Sequence, residues 1–200
     1  MEFPLFGQQV AVDLVNTLWA YAGETFDALA TVEVADRWLI AVGGNPLGDR
    51  GTLLQATGDE FSLRVRDEEF RAALQALRDQ VRALLSAAAR GEPVDPALLY
   101  ALSRTAAAAP SRLVAGPGDG ERPQVRRVRA GPTAAVVLAA LAEDALIMAA
   151  DPATGTVLAC GTAACLGLFV RDDPRRRYCS PACANRSRVA RHYDRAKAST

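Results

Sequence analysis

The chain has 200 residues and a formal net charge of zero, and half of its residues are hydrophobic. This composition is ordinary for a globular protein, and it excludes a wholly disordered chain. No stretch has the ~20 apolar residues that a membrane span needs, and the first ten residues lack the basic start and apolar core of a secretory signal. We therefore expect a cytoplasmic protein with no membrane segment.

Apolar residues recur at helical spacing through most of the first 110 residues, and this pattern predicts a series of helices. The longest has three acidic residues in its first turn and is followed by Gly91, which are typical helix start and stop signals. Asp95 caps another helix that starts with a proline. The predicted helices cover Val10–Tyr21, Thr31–Val42, Gly48–Gly58, Asp67–Arg90 and Pro96–Ala109.

The pattern changes after residue 110. Apolar residues at Leu113-Val114 and Val125–Val128 flank a loop rich in glycine and proline, which predicts a small β-hairpin. A helix over Pro132–Ala150 follows, and Asp151–Gly155 is the predicted domain boundary. We predict an α+β protein with a mainly helical domain and one small hairpin over residues 1–150, and a smaller C-terminal domain over residues 156–200.

The N-terminal region has no arrangement typical of a catalytic site. The one histidine of the chain is His192, near the other end, and no glycine-rich phosphate loop is present. We therefore do not expect an enzyme. Asp13, Asn16 and Thr17 form a polar cluster on an otherwise apolar helix, and two interpretations are open: a cap or buried hydrogen-bond network, or a pocket for a small-molecule effector.

The four cysteines form one cluster: Cys160, Cys165, Cys179 and Cys183. Two close pairs separated by a short spacer suit tetrahedral zinc, and four thiolate ligands leave no open position for catalysis. We predict one structural Zn²⁺ per chain, bound by all four thiolates. Two disulfides, a redox switch that releases zinc, and an iron–sulfur cluster are the alternatives.

The spacer between the cysteine pairs is predicted to form a strand over Leu168–Val170, a turn over Arg171–Pro174 and a second strand over Arg175–Tyr178. Ser180 and Pro181 then suit the N-cap and the first position of a helix. A knuckle, a hairpin and a helix that carries the last ligands make a treble-clef-like zinc finger. Because this segment is poor in apolar residues, zinc binding is expected to supply its folding energy.

Positive charge is concentrated at the C-terminal end. Residues 160–200 contain nine basic and three acidic residues, a net charge of +6, so the rest of the chain carries −6. One side of the predicted last helix is basic and contains Arg188, Arg191, His192 and Arg195. We expect this side to contact nucleic-acid phosphates. The alternative is a solvated surface without a partner. Another side is expected to pack on the hairpin: Ala182, Val189 and Tyr193.

The segment Arg176–Arg186 reads Arg-Arg-Tyr-Cys-Ser-Pro-Ala-Cys-Ala-Asn-Arg, which resembles the signature of CGNR zinc finger proteins, where a basic-aromatic-Cys-Ser run precedes Cys-Gly-Asn-Arg. Asp13–Leu18 and the later Trp38-Leu39 resemble the companion ABATE domain. The family is described as regulators of transcription under stress, so the resemblance implies a finger that binds DNA. Ala184 stands where the family has glycine, and we expect the first helical turn to accept it.

Asn185 and Arg186 carry over from the motif, and they either brace the cysteine knuckle or contact nucleic acid. The leading hypothesis is a transcription regulator whose finger binds DNA and whose N-terminal domain senses a ligand or forms a homodimer. The alternative is a zinc-stabilised module that binds a protein or RNA without sequence-specific DNA binding.

Overall fold

The structure is a computed structural model that describes residues 3, 9–21, 23–43, 64–118, 122–151 and 156–198. Within these residues the fold is α+β, with helices and three two-stranded antiparallel sheets. The predicted helix over Gly48–Gly58 lies outside the described residues. The helices are α1 Val10–Val15, α2 Val32–Gly43, α3 Glu68–Arg90, α4 Pro96–Ala107, α5 Thr133–Ala150 and α6 Pro181–Ala198. The strands are β1 Leu18–Tyr21, β2 Glu24–Asp27, β3 Ser111–Gly116, β4 Gln124–Arg129, β5 Thr156–Ala159 and β6 Leu168–Arg171.

The first predicted helix is wrong in its second half. Helix α1 ends at Val15, and the residues expected to continue it form strand β1, which pairs with β2. The Thr17 hydroxyl donates to the Leu14 carbonyl at 2.7 Å, so a side chain satisfies a carbonyl at the helix end. Trp19 lies opposite Phe26 with stacked rings, and such an aromatic cross-strand pair stabilises a hairpin.

The predictions for α2, α3 and α4 are confirmed to within two residues. The Asp67 side chain accepts the Phe70 N–H at the start of α3, and Gly91 adopts a left-handed conformation, with φ of 65°, at its end. The Asp95 side chain accepts the Ala97 N–H at the start of α4. These caps satisfy backbone groups that a helix terminus leaves unpaired.

The predicted hairpin after residue 110 is confirmed as β3 and β4, and the helix after it as α5. Helix α5 is long and apolar enough to cross a membrane by composition, with a mean hydropathy of 1.8. In this fold it is a central core helix that contacts α1, α3 and α4. The Asp144 carboxylate on α5 accepts the Ala11 N–H at 3.0 Å, which satisfies a donor at the start of α1.

Strands β5 and β6 join the cysteine-rich segment to the helical core. Side chains alternate along β6, as they do in any strand. Leu168 and Val170 belong to the main core with Val157 of β5, whereas Phe169 packs with Cys179 and Cys183 in a second cluster. The regions 1–150 and 156–200 therefore share one hydrophobic core. Their division into two domains remains a prediction.

The predicted hairpin inside the cysteine spacer is wrong in its partner strand. Leu168–Arg171 is a strand, but it pairs with Thr156–Ala159 and not with Arg175–Tyr178. The Arg176 guanidinium donates to the carbonyls of Tyr178 and Cys179. The Arg177 carbonyl accepts the Gly161 N–H at 2.9 Å, so the 175–178 segment lies against the cysteine knuckle and does not pair with β6. The knuckle, hairpin and helix of a treble-clef-like finger are nevertheless all present, with the hairpin built from β5 and β6.

Candidate metal centre and nucleic-acid interface

The four cysteine side chains converge on one point. Cys160 and Cys165 lie in the loop between β5 and β6, Cys179 precedes α6, and Cys183 lies in its first turn. Ser180 is the residue before the helix, and its Oγ accepts the Cys183 N–H at 3.3 Å, as the sequence predicts for an N-cap. All four Sγ atoms lie within 4.8 Å of one another.

The spacing of these sulfurs fits a tetrahedral zinc ion. The distances from Cys179 to Cys183, from Cys183 to Cys165 and from Cys165 to Cys179 are 3.5, 3.7 and 3.8 Å between Sγ atoms. Zn–S bonds of about 2.3 Å in a tetrahedron place neighbouring sulfurs about 3.8 Å apart. A disulfide needs about 2.05 Å, and all four cysteines are free. The prediction of one structural zinc site is therefore confirmed.

The thiols cannot all become thiolates without a cation between them. Hydrogen bonding from Cys165 lowers the pKa of Cys160, and the same contact raises the pKa of Cys165 to about 11. Contact with Cys160 likewise raises the pKa of Cys179. A divalent cation at the centre removes this conflict, because it binds four deprotonated sulfurs at once.

Small residues make room for the cluster. A Cβ atom on Gly167 would lie 3.2 Å from the Sγ of Cys179 and 3.4 Å from that of Cys165, so any side chain at Gly167 would crowd the ligands. Ala164, in the knuckle, has a φ of 59°. This left-handed conformation strains alanine and lets the chain turn sharply between the first two cysteines.

Helix α6 is fastened to the knuckle by hydroxyl groups. Thr162 is buried and donates its Oγ1 hydrogen to the Cys183 carbonyl at 2.9 Å. Ser187, one turn later in α6, donates to Thr162 Oγ1 at 3.0 Å. These bonds fix the start of α6 relative to the first two ligands, so the direction of the helix depends on the folded knuckle.

Arg186 contacts a zinc ligand directly. Its Nη2 donates to Cys183 Sγ at 2.9 Å, and its guanidinium lies over the Tyr21 ring at 5.8 Å from the centroid. Burial acts most strongly on the pKa of Cys183 and raises it, but the hydrogen bonds from Arg186, Ser180 and Cys179 together outweigh burial, and the net direction is downward. Arg186 thus stabilises a thiolate ligand, whereas Asn185 is exposed and accepts a long hydrogen bond from Arg188 at 3.4 Å.

The finger is attached to the N-terminal region through Asn16. Its Nδ2 donates to the Leu168 carbonyl at 2.9 Å, and the Leu168 N–H donates to its Oδ1 at 3.0 Å. Asn16 and Leu168 are both buried. All three residues of the polar cluster predicted from the sequence, Asp13, Asn16 and Thr17, are buried. Asn16 bonds the backbone of strand β6. The role of this cluster as an effector pocket remains a prediction.

Arg82 is a connecting residue that the sequence reasoning missed. Its guanidinium donates to the carbonyls of Leu166, Val15 and Leu18. It therefore ties the metal knuckle to α1 and β1, and burial lowers its pKa. Nothing in the local sequence distinguishes Arg82 from the other arginines of α3, because its acceptors come from distant segments.

The second half of α6 is exposed on all sides. From residue 188 to residue 197, every side chain that the structure describes is exposed. The predicted basic group therefore faces solvent: Arg188, Arg191, His192 and Arg195. The prediction that Ala182, Val189 and Tyr193 pack on the hairpin is wrong, since Val189 is 46% and Tyr193 is 71% exposed. The helix contacts the rest of the finger through Cys183, Arg186 and Ser187 instead. Its second half extends beyond the small hairpin, so Val189 and Tyr193 have no surface to pack on.

Comparison with known families matches nearly the whole chain. A family model named ABATE, described as "Putative stress-induced transcription regulator", matches residues 8–152. A second model, the CGNR zinc finger, matches residues 157–196. A search of curated proteins finds no match. The matched ranges include every cysteine of the metal centre and the exposed half of α6 up to residue 196.

Proposed function

The chain belongs to the ABATE family and ends in a CGNR zinc finger, and on this premise we propose that it is a zinc-dependent, DNA-binding transcription regulator of the cytoplasm. Neither family is an enzyme family. The single observation that carries the proposal is the exposed, basic second half of α6, held in place by the metal centre at its first turn.

The basic helix has the dimensions of a DNA-reading element. At 1.5 Å per residue, the ten residues from 188 to 197 extend about 15 Å. A single α-helix of this kind fits the major groove, which is about 12 Å wide. The Nε atoms of Arg191 and Arg195 donate to helix carbonyls one turn earlier, so their side chains lie along the helix and present a row of positive charge. Phosphate contact by such a row is independent of sequence and sensitive to salt.

Zinc bound by the four cysteines would fix the start of α6 relative to the knuckle. The ligand Cys183 lies in the first turn of α6, and Thr162 in the knuckle bonds the Cys183 carbonyl. Without zinc, hydroxyl hydrogen bonds alone would hold the knuckle to the helix start, so DNA binding is expected to require the metal. The N-terminal region would then supply ligand sensing or homodimer formation, since one helix alone reads few bases and specific sites usually need two copies.

The exposed apolar surface of α6 favours a second candidate function. Val189 and Tyr193 lie on the flank of the helix next to the basic row and are both exposed. An apolar strip beside positive charge also suits an acidic protein or an RNA. In that case the finger would bind its partner without sequence-specific DNA binding.

The salt dependence of binding to duplex DNA distinguishes a DNA-binding finger from one that binds a protein or RNA. Each phosphate neutralised contributes about −0.9 to the slope of log K against log salt. Arg191→Gln is expected to weaken binding to all duplexes alike and to reduce the slope by about one unit. Arg104→Gln, at an exposed arginine of α4, is the matched control and should leave the slope unchanged. An equal slope for wild type and Arg191→Gln would contradict the assigned phosphate contact.

A further inference from the structure

A cavity of about 180 Å³ lies between the β1–β2 hairpin and α2. Two aromatic rings of the hairpin, Trp19 and Phe26, are stacked with centroids 5.6 Å apart, and Phe3 and Val34 complete the apolar lining. An apolar cavity of about 150 Å³ is large enough to hold benzene. The volume therefore suits a molecule with a single ring, and the walls suit a flat, apolar one.

The charged side chains of the lining are one acid, Asp27, and one base, Arg37, and the acid already accepts hydrogen bonds from within the fold. Asp27 Oδ1 accepts hydrogen bonds from Leu29 N at 2.8 Å and from Arg78 at 2.6 Å, and its Oδ2 accepts from Gln75 at 3.3 Å. The side chain of Arg78 is only 6% exposed, so this pair is fixed within the fold. The Asp27 carboxylate has little capacity left for a ligand.

The base, Arg37, is available to a ligand. It is exposed, lies three residues after Val34 on the same side of α2, and has no hydrogen-bond or ion-pair partner among the residues that the structure describes. A guanidinium presents paired N–H donors whose geometry matches a carboxylate. The cavity thus combines an aromatic wall with a cation at its edge.

We propose that this cavity is a binding site for a small aromatic carboxylate, with the ring against Trp19 and Phe26 and the carboxylate on Arg37. The site deepens the proposed sensing role of the N-terminal region and rests on that role for its biological purpose. It is distinct from the pocket predicted at Asp13, Asn16 and Thr17, which are not part of this lining. Its test measures ligand binding without DNA, so either proposal can fail while the other stands.

The test uses benzoate as the probe and the full-length, zinc-loaded protein. Calorimetric titration should show saturable binding of one benzoate per chain with a Kd below about 1 mM, the range expected of a single-ring ligand. Neutral benzamide should bind at least about tenfold more weakly. Arg37→Gln should weaken benzoate binding about tenfold, and Arg104→Gln, an exposed helix arginine outside the lining, should leave it unchanged.

A second variant fills the cavity instead of removing the charge. Val34→Phe should abolish benzoate binding, with its melting temperature recorded to show that it folds. Nuclear magnetic resonance should show benzoate shifting the indole N–H signal of Trp19, identified by its loss in Trp19→Phe. Absence of saturable benzoate binding overturns the proposal. Equal binding of benzoate and benzamide, or binding that Arg37→Gln leaves unchanged, overturns the assignment of a carboxylate ligand.

Discussion

Replacing Asn16 tests whether the zinc finger depends on the N-terminal region. Asn16→Ala removes both hydrogen bonds to Leu168 and leaves a buried N–H and a buried carbonyl without partners. Each unpaired buried group costs about 1–3 kcal/mol. We therefore expect the free energy of unfolding to fall by about 3 kcal/mol, which for a chain of this size lowers the melting temperature by about 10 °C.

The assay is urea denaturation of zinc-loaded protein, followed by circular dichroism, together with the rate of zinc release to a coloured chelator. Because Leu168 lies in the strand that follows the metal knuckle, zinc release from Asn16→Ala should be faster. Asn185→Ala is the control, since Asn185 is exposed and makes one long hydrogen bond, and its cost should stay below about 0.5 kcal/mol. A loss in Asn16→Ala as small as in the control would refute the proposed anchoring.

Three further variants test the knuckle, the ligand contact and the core. Ala164→Gly should raise the free energy of unfolding by about 1 kcal/mol, because glycine relieves the left-handed strain; a lower midpoint in urea would contradict this. Arg186→Ala should weaken zinc binding at least about tenfold in a chelator competition, whereas Arg188→Ala, which makes no contact with a ligand, should not. Burial raises the pKa of Asp144 above its ordinary value, so the carboxyl ionises at lower pH in the unfolded chain than in the folded protein, and stability falls as the pH rises from the ordinary pKa to the raised one. As the pH rises above about 4, the ordinary range of an aspartate, wild type should lose stability relative to Asp144→Asn; equal pH profiles would show that this carboxyl does not titrate differently on folding.

The metal centre was predictable because its signal is local. The two cysteine pairs, Ser180 before Pro181, and the basic helix after them are all read from neighbouring residues, and the structure places the four sulfurs together. The helix α3 was predictable for the same reason, since its acidic first turn and Gly91 mark its ends. Local patterns fix caps and periodic faces without knowledge of the rest of the fold.

The contacts that join the two regions could not be predicted from local patterns. Asn16 and Leu168 are 152 residues apart, and the residues around Asn16 carry no signal that identifies its partner. The pairing of β6 with Thr156–Ala159 was missed because each strand has four residues, too few to show a periodicity. The exposure of Val189 and Tyr193 was missed because an apolar side of a helix indicates burial only where the fold supplies a surface to cover it.

Binding of genomic DNA fragments with and without zinc decides whether the protein is a zinc-dependent, sequence-specific DNA-binding regulator. Purified zinc-loaded protein is mixed with a fragment library at low and at physiological salt, bound fragments are sequenced, and the experiment is repeated after chelation. We expect binding that requires zinc and enriches particular sequences. Undetectable binding to duplex DNA at low salt would contradict it and favour a protein or RNA partner, and zinc-dependent binding without sequence preference would contradict the role of transcription regulator.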